Sequence, residues 1–460
     1  MKESVPRLLQ DARRTRRHHE WATVQRRRLA EIVEYARTRS PYYRDLYSGL
    51  PPRADDSATL PVTELPVTDK KALMAHYDQW ATDREVTLAR ARAFAADPQL
   101  AGGRFLDRYL LVTTSGTTGN PAIFVKDDRD IAVNYALSMR MMGSWLDLAD
   151  ITRILAGGGR MAIVAATNGH FLVSAGAARM RAHRLQRKAI RLFSVHTPLD
   201  ALVEALNQFR PALLLGYGSV LNMLAAEQES GRLRIAPVVV EPAGETLTSG
   251  DYQRMARAFE AKVRDTYGAS ECPFLTEGCA YGWYHVNSDW ALVEPVEADY
   301  SPTPPGRRSH TVLVTNLANR VQPILRYDLG DSVLQRPDPC PCGNPLPAIQ
   351  VQGRVANVLT FATGRGEVVI APLMLNTLVD RTPGVQLYQI VQTSPATLRI
   401  RMRPSPGADS ETVWRAVRDG ISGLLADHKL DHVILERAEE PPQQSPGGKY
   451  RAVIPLKDFA

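Results

Sequence analysis

The 460-residue sequence has few cysteines, few aromatic residues and no long apolar run, and each shortage removes a class of protein. Four cysteines, Cys272, Cys279, Cys340 and Cys342, are too few for a disulfide scaffold and fall in two pairs in the middle of the chain. No stretch approaches the roughly 18 apolar residues that cross a bilayer, so neither a membrane span nor a membrane partner is expected. The opening MKESVPRLLQDARRTRRHHE has charge but no apolar core, unlike a secretory signal, and a cytoplasmic protein is expected. In that compartment paired cysteines point to metal or redox roles before disulfides. Aromatic residues make up 7%, and no aromatic–basic motif of a nucleic-acid-binding module is present.

What is present is a chain 44% hydrophobic, enough for a substantial core, and long enough for two or three domains. The net charge is +7, and the first forty residues hold eleven basic against five acidic side chains. Leu8, Trp21, Leu29, Ile32 and Val33 interleave with those arginines at helical spacing, which reads as the solvated face of amphipathic helices. Anionic partners are the alternative, and nucleic acid is not expected.

SPYYRDLYSGLPP closes the N-terminal helical region, and Thr68 or Asp69 is placed to cap a short helix over the residues that follow. Between about 105 and 270 the short apolar runs RYLLVTT, RMAIVAAT, AIRLFSV, PALLLGY and APVVVEP alternate with helical patterns such as LDALVEALNQF and VLNMLAAEQES. That alternation predicts an α/β region with a largely parallel sheet. After about 285 the pattern becomes hairpin-like, and the last hundred residues read βαββαβ, a small α+β domain. The expected fold is therefore a large α/β N-terminal domain with mixed and parallel sheets and a β-rich subdomain, residues 1–353, followed by a small α+β domain, residues 354–460.

Directly after the first apolar run comes TTSGTTGNP, with Thr113, Thr114, Ser115, Gly116, Thr117, Thr118 and Gly119. Glycines admit close backbone approach and short hydroxyl side chains add donors, as a loop closing around phosphate oxygens requires. The G-x-x-x-x-G-K-[ST] pattern of kinases and small GTPases is absent.

This loop resembles the phosphate loop of the adenylate-forming superfamily, the acyl-CoA synthetases and peptide-synthetase adenylation domains. Further motifs follow in that family's order. AGETL (243–247) precedes DTYGASE (265–271), which is similar to the aromatic-Gly-x-Thr-Glu motif with Ser270 in place of threonine. ILRYDLGD (324–331) resembles the ribose-binding segment, Gly353-Arg354 stands at the hinge position, and PGGKYR (446–451) resembles the closing motif with the catalytic lysine. Within the superfamily the chain looks most like phenylacetate–CoA ligases, on its length, its opening helices, LPVTDKKAL and PCPCG. The usual lysine after the loop proline is replaced by Ala122, and Val355, Ala356 and Asn357 follow Gly353-Arg354, so that both aspartates of the family's Gly-Arg-x-Asp-Asp hinge are missing. The second departure puts the usual domain rotation in question.

The resemblance implies ATP and Mg²⁺, with Lys449 and Glu271 as catalytic residues. The hydroxyl loop would hold the β- and γ-phosphates, joined at the nucleotide by Gly244, Glu245, Gly268, Ala269 and Ser270. Glu271 would hold Mg²⁺, Tyr267 would stack beside adenine, and Asp331 would accept from the ribose hydroxyls with Arg354 nearby. Lys449 would bridge the substrate carboxylate and the α-phosphate, delivered by closure of the small domain. His170, Tyr217, Gly218 and Ala243 are the expected acid pocket, and their small and aromatic character suits a flat ring. Cys279, His285, Cys340 and Cys342 supply four N/S ligands of the kind that hold structural zinc, with Cys272 as a substitute ligand and four reduced thiols as the alternative.

The expected activity is AMP-forming activation of a small, aromatic carboxylic acid followed by transfer to CoA. An amine or hydroxyl acceptor is the second reading, and a silent nucleotide-binding regulator the third. The oligomeric state is open, a homodimer being one option.

Overall fold

The computed structural model describes residues 4–17, 20–50, 61–114, 122–167, 169–182, 188–244, 247, 249–351, 359–363, 366–370, 372–379, 382–443 and 452–456. The chain forms two compact units. The first comprises Met1–Thr113, Ile123–Leu155 and Arg264–Arg354, the second Thr114–Ala122, Ala156–Val263 and Val355–Ala460.

In the first unit the basic N-terminal region is helical, over Val5–Arg17, Trp21–Arg39 and Pro41–Leu46. Leu8, Leu9 and Ala12 are buried on one side of the first helix, while Arg13, Arg14 and Arg17 are exposed on the other. Asp69, not Thr68, caps the helix Lys70–Ala75, accepting from the Ala72 N–H at 2.7 Å. Thr68 is buried instead and donates to the Leu325 carbonyl.

RYLLVTT was expected to begin the parallel sheet and does not. Its strand, Tyr109–Thr113, lies in an antiparallel three-stranded sheet between Arg104–Phe105 and Ile123–Lys126. The physical reason is the connection, residues 114–122, which is too short for the crossover of a dozen or more residues that a parallel pair needs. Three further elements of this unit matter for the site. One is the strand pair Ala291–Val296 and Thr311–Asn316. Another is a four-stranded antiparallel sheet in the order Val333–Gln335, Ala348–Val351, Tyr284–Val286, Thr276–Gly278. The third is the long helix Asp128–Trp145, capped by Asp127, whose Arg140 is fully buried. That guanidinium donates to both Asp289 oxygens at 2.9 and 3.0 Å, to Asn287 Oδ1 at 2.6 Å and to the Ala12 carbonyl at 3.1 Å.

In the second unit the other four apolar runs form a parallel sheet, as their alternation with helices predicts. Its order is Ile190–Ser194, Met161–Ala165, Leu213–Tyr217, Val239–Ala243, Lys262–Val263. The predicted helices appear at Leu199–Phe209 and Gly218–Glu229. The C-terminal elements follow the predicted βαββαβ order, with a preceding strand, Leu359–Thr363, that forms a separate hairpin with Gly366–Ile370. The remaining strands make a sheet in the order Ile434–Arg437, Thr397–Pro404, Val385–Ser394, Val453–Ile454, backed by the helices Pro372–Val379 and Ser410–Asp427. The architecture is α/β with both parallel and antiparallel sheets. No helix among the described residues is long and apolar enough to cross a membrane.

Arg140 and Asp289 are both shielded from water, so removing one leaves the other an uncompensated buried charge. Arg140→Met should cost about 3–5 kcal/mol, read as a lower denaturation midpoint. A midpoint unchanged within error would show that the pair does not carry this load.

Candidate active site and metal centre

Two of the sequence motifs interlock. DTYGASE and ILRYDLGD each place a tyrosine four residues before a carboxylate, Tyr267 before Glu271 and Tyr327 before Asp331. Each tyrosine serves the other motif: Tyr267 donates to Asp331 Oδ2 at 2.8 Å, and Tyr327 donates to Glu271 Oε1 at 2.8 Å. Both carboxylates are buried. Burial and then the Glu271 charge push the Tyr327 phenol well above its ordinary range, so it stays a donor.

The Glu271 loop is held from beneath. Its carbonyl accepts from Lys126 Nζ at 2.8 Å and from Asn316 Nδ2 at 3.1 Å, and Lys126 is itself fully buried, 4.0 Å from Asp130. Upstream, Tyr267 exchanges two 2.9 Å hydrogen bonds with the Thr276 hydroxyl through its backbone N–H and C=O. Between them the chain doubles back so tightly that a Cβ on Gly268 would lie 2.0 Å from the Pro273 carbonyl oxygen. Only glycine fits. Ala269 and Cys272 close this turn with paired backbone bonds of 3.1 and 3.0 Å, and Ser270 lies on it, half-buried.

Lys126, Asn316 and Tyr327 were not among the expected site residues. Tyr327 could have been found, because it lies inside ILRYDLGD with the spacing seen in DTYGASE. Lys126 ends an apolar strand, Ile123–Lys126, and no local pattern marks it as buried. Lys70 is a further neighbour: burial draws its ammonium below the usual lysine range and the Glu271 charge opposes that shift.

Thr113 ends its strand and Thr114 follows it, where the Thr114 hydroxyl accepts from the Ala122 N–H at 2.9 Å. Ser115, Gly116, Thr117, Thr118, Gly119, Glu245, Arg354 and Lys449 lie outside the described residues. In the second unit Tyr217 and Ala243 are register partners at the carboxyl ends of neighbouring parallel strands. Gly218 opens the next helix against Leu247, and Gly244, at φ +76°, lies under the Tyr217 ring. His170 is buried in the connection that leaves the adjacent strand Met161–Ala165. These residues therefore gather at the carboxyl edge of the sheet, where open α/β folds bind ligands.

Within the first unit, Cys279, His285, Cys340 and Cys342 come together, their ligand atoms all within 4.8 Å of one another. Cys279 follows the strand Thr276–Gly278, His285 sits on the neighbouring Tyr284–Val286, and Cys340 and Cys342 lie between two other strands of the same sheet. The Cys279 and Cys340 sulfurs are 3.8 Å apart, near the edge length of ~3.8 Å that a tetrahedron with Zn–S bonds of ~2.3 Å has. His285 Nε2 is 3.1 Å from the Cys342 sulfur, while Nδ1 is 2.9 Å from the Leu346 carbonyl. That carbonyl can only accept, so the proton sits on Nδ1 and Nε2 faces the sulfurs with its lone pair. Burial pulls the imidazole below its ordinary pKa, keeping it neutral, as a ligand must be. Partial desolvation, with the neighbouring Cys340 and Cys279 sulfurs, pushes the Cys342 thiol up to about 12, so without metal this side chain is a thiol and a metal must displace its proton. Cys272 is not part of the cluster. It packs with Leu275, Ala291 and Val314, and burial raises its thiol to about 12.

No family model matches the chain. Among solved structures, it is similar to 2-hydroxyisobutyryl-CoA ligase with 2-HIB-AMP and CoA in the thioesterification state, at 22% identity and TM-score 0.55 over 95% of this chain and 90% of that one. The postadenylation state of the same ligase with 2-HIB-AMP gives 21% identity and TM-score 0.52 over the same shares. The fold is that of the adenylate-forming enzymes. Protein CapK of Staphylococcus aureus is 24% identical over 260 residues, 56% of this chain and 55% of CapK, so the match spans about half of that relative. The interlocked tyrosine–carboxylate pairs and the four-ligand cluster belong to one compact unit.

The ligand geometry predicts about one zinc per chain, by elemental analysis of protein purified without chelators. Cys342→Ser should lower the bound fraction at least tenfold, as should acidification that reprotonates the thiolates. Metal-free wild-type protein that stays fully folded and takes up no zinc would remove the site.

Proposed function

We propose that the chain is an ATP-dependent, AMP-forming carboxylate ligase that converts a small aromatic acid to its acyl-adenylate and transfers the acyl group to CoA. The observation that carries this reading is the interlock of Tyr267 with Asp331 and of Tyr327 with Glu271, which fixes two motif carboxylates in buried positions.

In the first half-reaction a substrate carboxylate oxygen attacks the α-phosphorus of ATP, a P–O bond forms, and the bond to pyrophosphate breaks. Charge grows on phosphate oxygens, so the task is positioning and electrostatic stabilisation. Asp331 has acceptor capacity beyond the Tyr267 hydrogen bond and receives the ribose hydroxyls. Gly268 is exposed at the turn, and a flat base would lie against it beside Tyr267. The hydroxyl loop 113–119 holds the outer phosphates, and Lys449 neutralises the carboxylate and α-phosphate as they meet. Glu271 fits Mg²⁺, a hard cation that uses one or two carboxylates plus substrate phosphates, and the ion would offset phosphate charge. The four N/S ligands Cys279, His285, Cys340 and Cys342 fit structural zinc, a closed site with no open coordination position.

In the second half-reaction the CoA thiolate attacks the acyl carbonyl, AMP leaves and a thioester forms. Residues 354–460 serve as the small domain that delivers Lys449. The aromatic preference rests on Tyr217, Gly218 and Ala243 at the carboxyl edge of the parallel sheet, with His170 beside them. An amine or hydroxyl acceptor is favoured over CoA by one feature, the loss of both hinge aspartates to Ala356 and Asn357.

Mg-ATP with a panel of benzoic, hydroxybenzoic, aminobenzoic and phenylacetic acids, with and without CoA, tests this through pyrophosphate release and product masses. An acyl-CoA mass is the expected result, and acyl-AMP with ester or amide masses alone would reassign the acceptor. Lys449→Ala should slow pyrophosphate release ~10²–10³-fold, the scale of losing one transition-state charge contact. Undiminished release would remove Lys449 from the mechanism.

A further inference from the structure

Three arginines of the first helix point to a second ligand. Gln10, Arg13, Arg14 and Arg17 recur at helical spacing on the face of Val5–Arg17 opposite its buried Leu8, Leu9 and Ala12. That face is exposed to solvent on the open side of a concave site. It forms one wall of a cavity of about 1240 Å³. The last turns of the helix Asp128–Trp145 form a second wall, and Arg264, the Gly278–Ala280 turn and the Cys342–Pro345 knuckle form the rest.

The cavity's charges divide into those already matched and those that are not. Arg16 is paired with Glu277 at 2.6 Å, and Arg140 with Asp289, so these neutralise one another. Glu277 is also held by Asn344 at 2.6 Å. Arg13, Arg14 and Arg17 form no ion pair among the described residues, although carboxylates are nearly as frequent as basic residues in the chain. Zinc bound by three thiolates and a histidine would place one net negative charge at the rim, which leaves the cavity with positive charge in excess. The wall opposite is kept low by Gly143, where an added Cβ would lie 3.4 Å from the Arg13 guanidinium.

We infer that this cavity binds a ligand carrying two or more phosphate groups, at a site separate from the tyrosine–carboxylate interlock. Guanidinium forks match phosphate oxygens in pairs, and three on one helix face can engage several phosphates at once. A concave site of this size, open on one side, fits a small molecule, whereas a duplex or a lipid surface would need a convex or flat basic face. Two sources share the chemistry: the 3′-phosphate and pyrophosphate of CoA, which rests on the acceptor reading above, and a free polyphosphate, which does not.

The test is calorimetric titration of the zinc-loaded full chain with CoA and, separately, with tripolyphosphate, both with saturating AMP, whose single phosphate fills the nucleotide site without meeting the requirement for two. Wild type is compared with the triple variant Arg13→Ala, Arg14→Ala, Arg17→Ala, whose fold is checked by circular dichroism. The expected result is at least tenfold weaker binding of both anions by the variant, and wild-type affinity that falls with salt. Loss for tripolyphosphate with CoA binding unchanged would support the phosphate site and exclude CoA as its occupant. Equal binding of both anions by the two proteins, or no binding of either to wild type, would overturn the inference. Thioester formation, measured in the acid panel, reports on the acceptor independently of all three results.

Discussion

Two buried carboxylates set the conditions under which this first unit can fold. A carboxylate taken out of water must be met by donors, and here each is met by a phenol from the other's motif. The arrangement is reciprocal, so neither motif can be placed correctly without the other. It also forces the turn at Gly268, because Tyr267 must reach Asp331 while Glu271, four residues on, turns inward to Tyr327. Lys126 and Asn316 then secure the Glu271 carbonyl beneath.

The cysteine–histidine cluster acts on the same framework from its other end. Two of its ligands come from the hairpin that follows Glu271 and two from the connection after the strand that follows Asp331, and His285 pairs across the sheet with Glu277 and Ala348. Glu277 in turn binds Arg16 and Asn344, joining the N-terminal helix and the cysteine knuckle to one strand. A metal there would fix loop positions that short antiparallel strands alone hold weakly.

Much of this was legible in the sequence because it is local. Strand and helix alternation gave the parallel sheet, and Cys340-Pro-Cys342 with Cys279 and His285 gave a four-ligand cluster that the fold assembles across 64 residues of chain. The placement of Tyr109–Thr113 was misread because a strand's sheet is set by connection length and partners, which apolar content does not reveal. Asp69 was legible as a cap and Thr68 was not excluded, since only tertiary contact with Leu325 distinguishes them. Lys126 was invisible for a similar reason: a lysine at a strand end reads as a solvated charge until the fold closes over it.

In the function proposed above, the interlocked pair presents Glu271 and Asp331 to ATP as its AMP group is transferred to the acid and pyrophosphate leaves. Exchange of labelled pyrophosphate into ATP measures that step alone, without any acceptor. The account predicts exchange that requires the carboxylic acid, is indifferent to CoA, and falls at least a hundredfold in a folded Glu271→Gln variant. Exchange that proceeds without acid, or at full rate in Glu271→Gln, would contradict it.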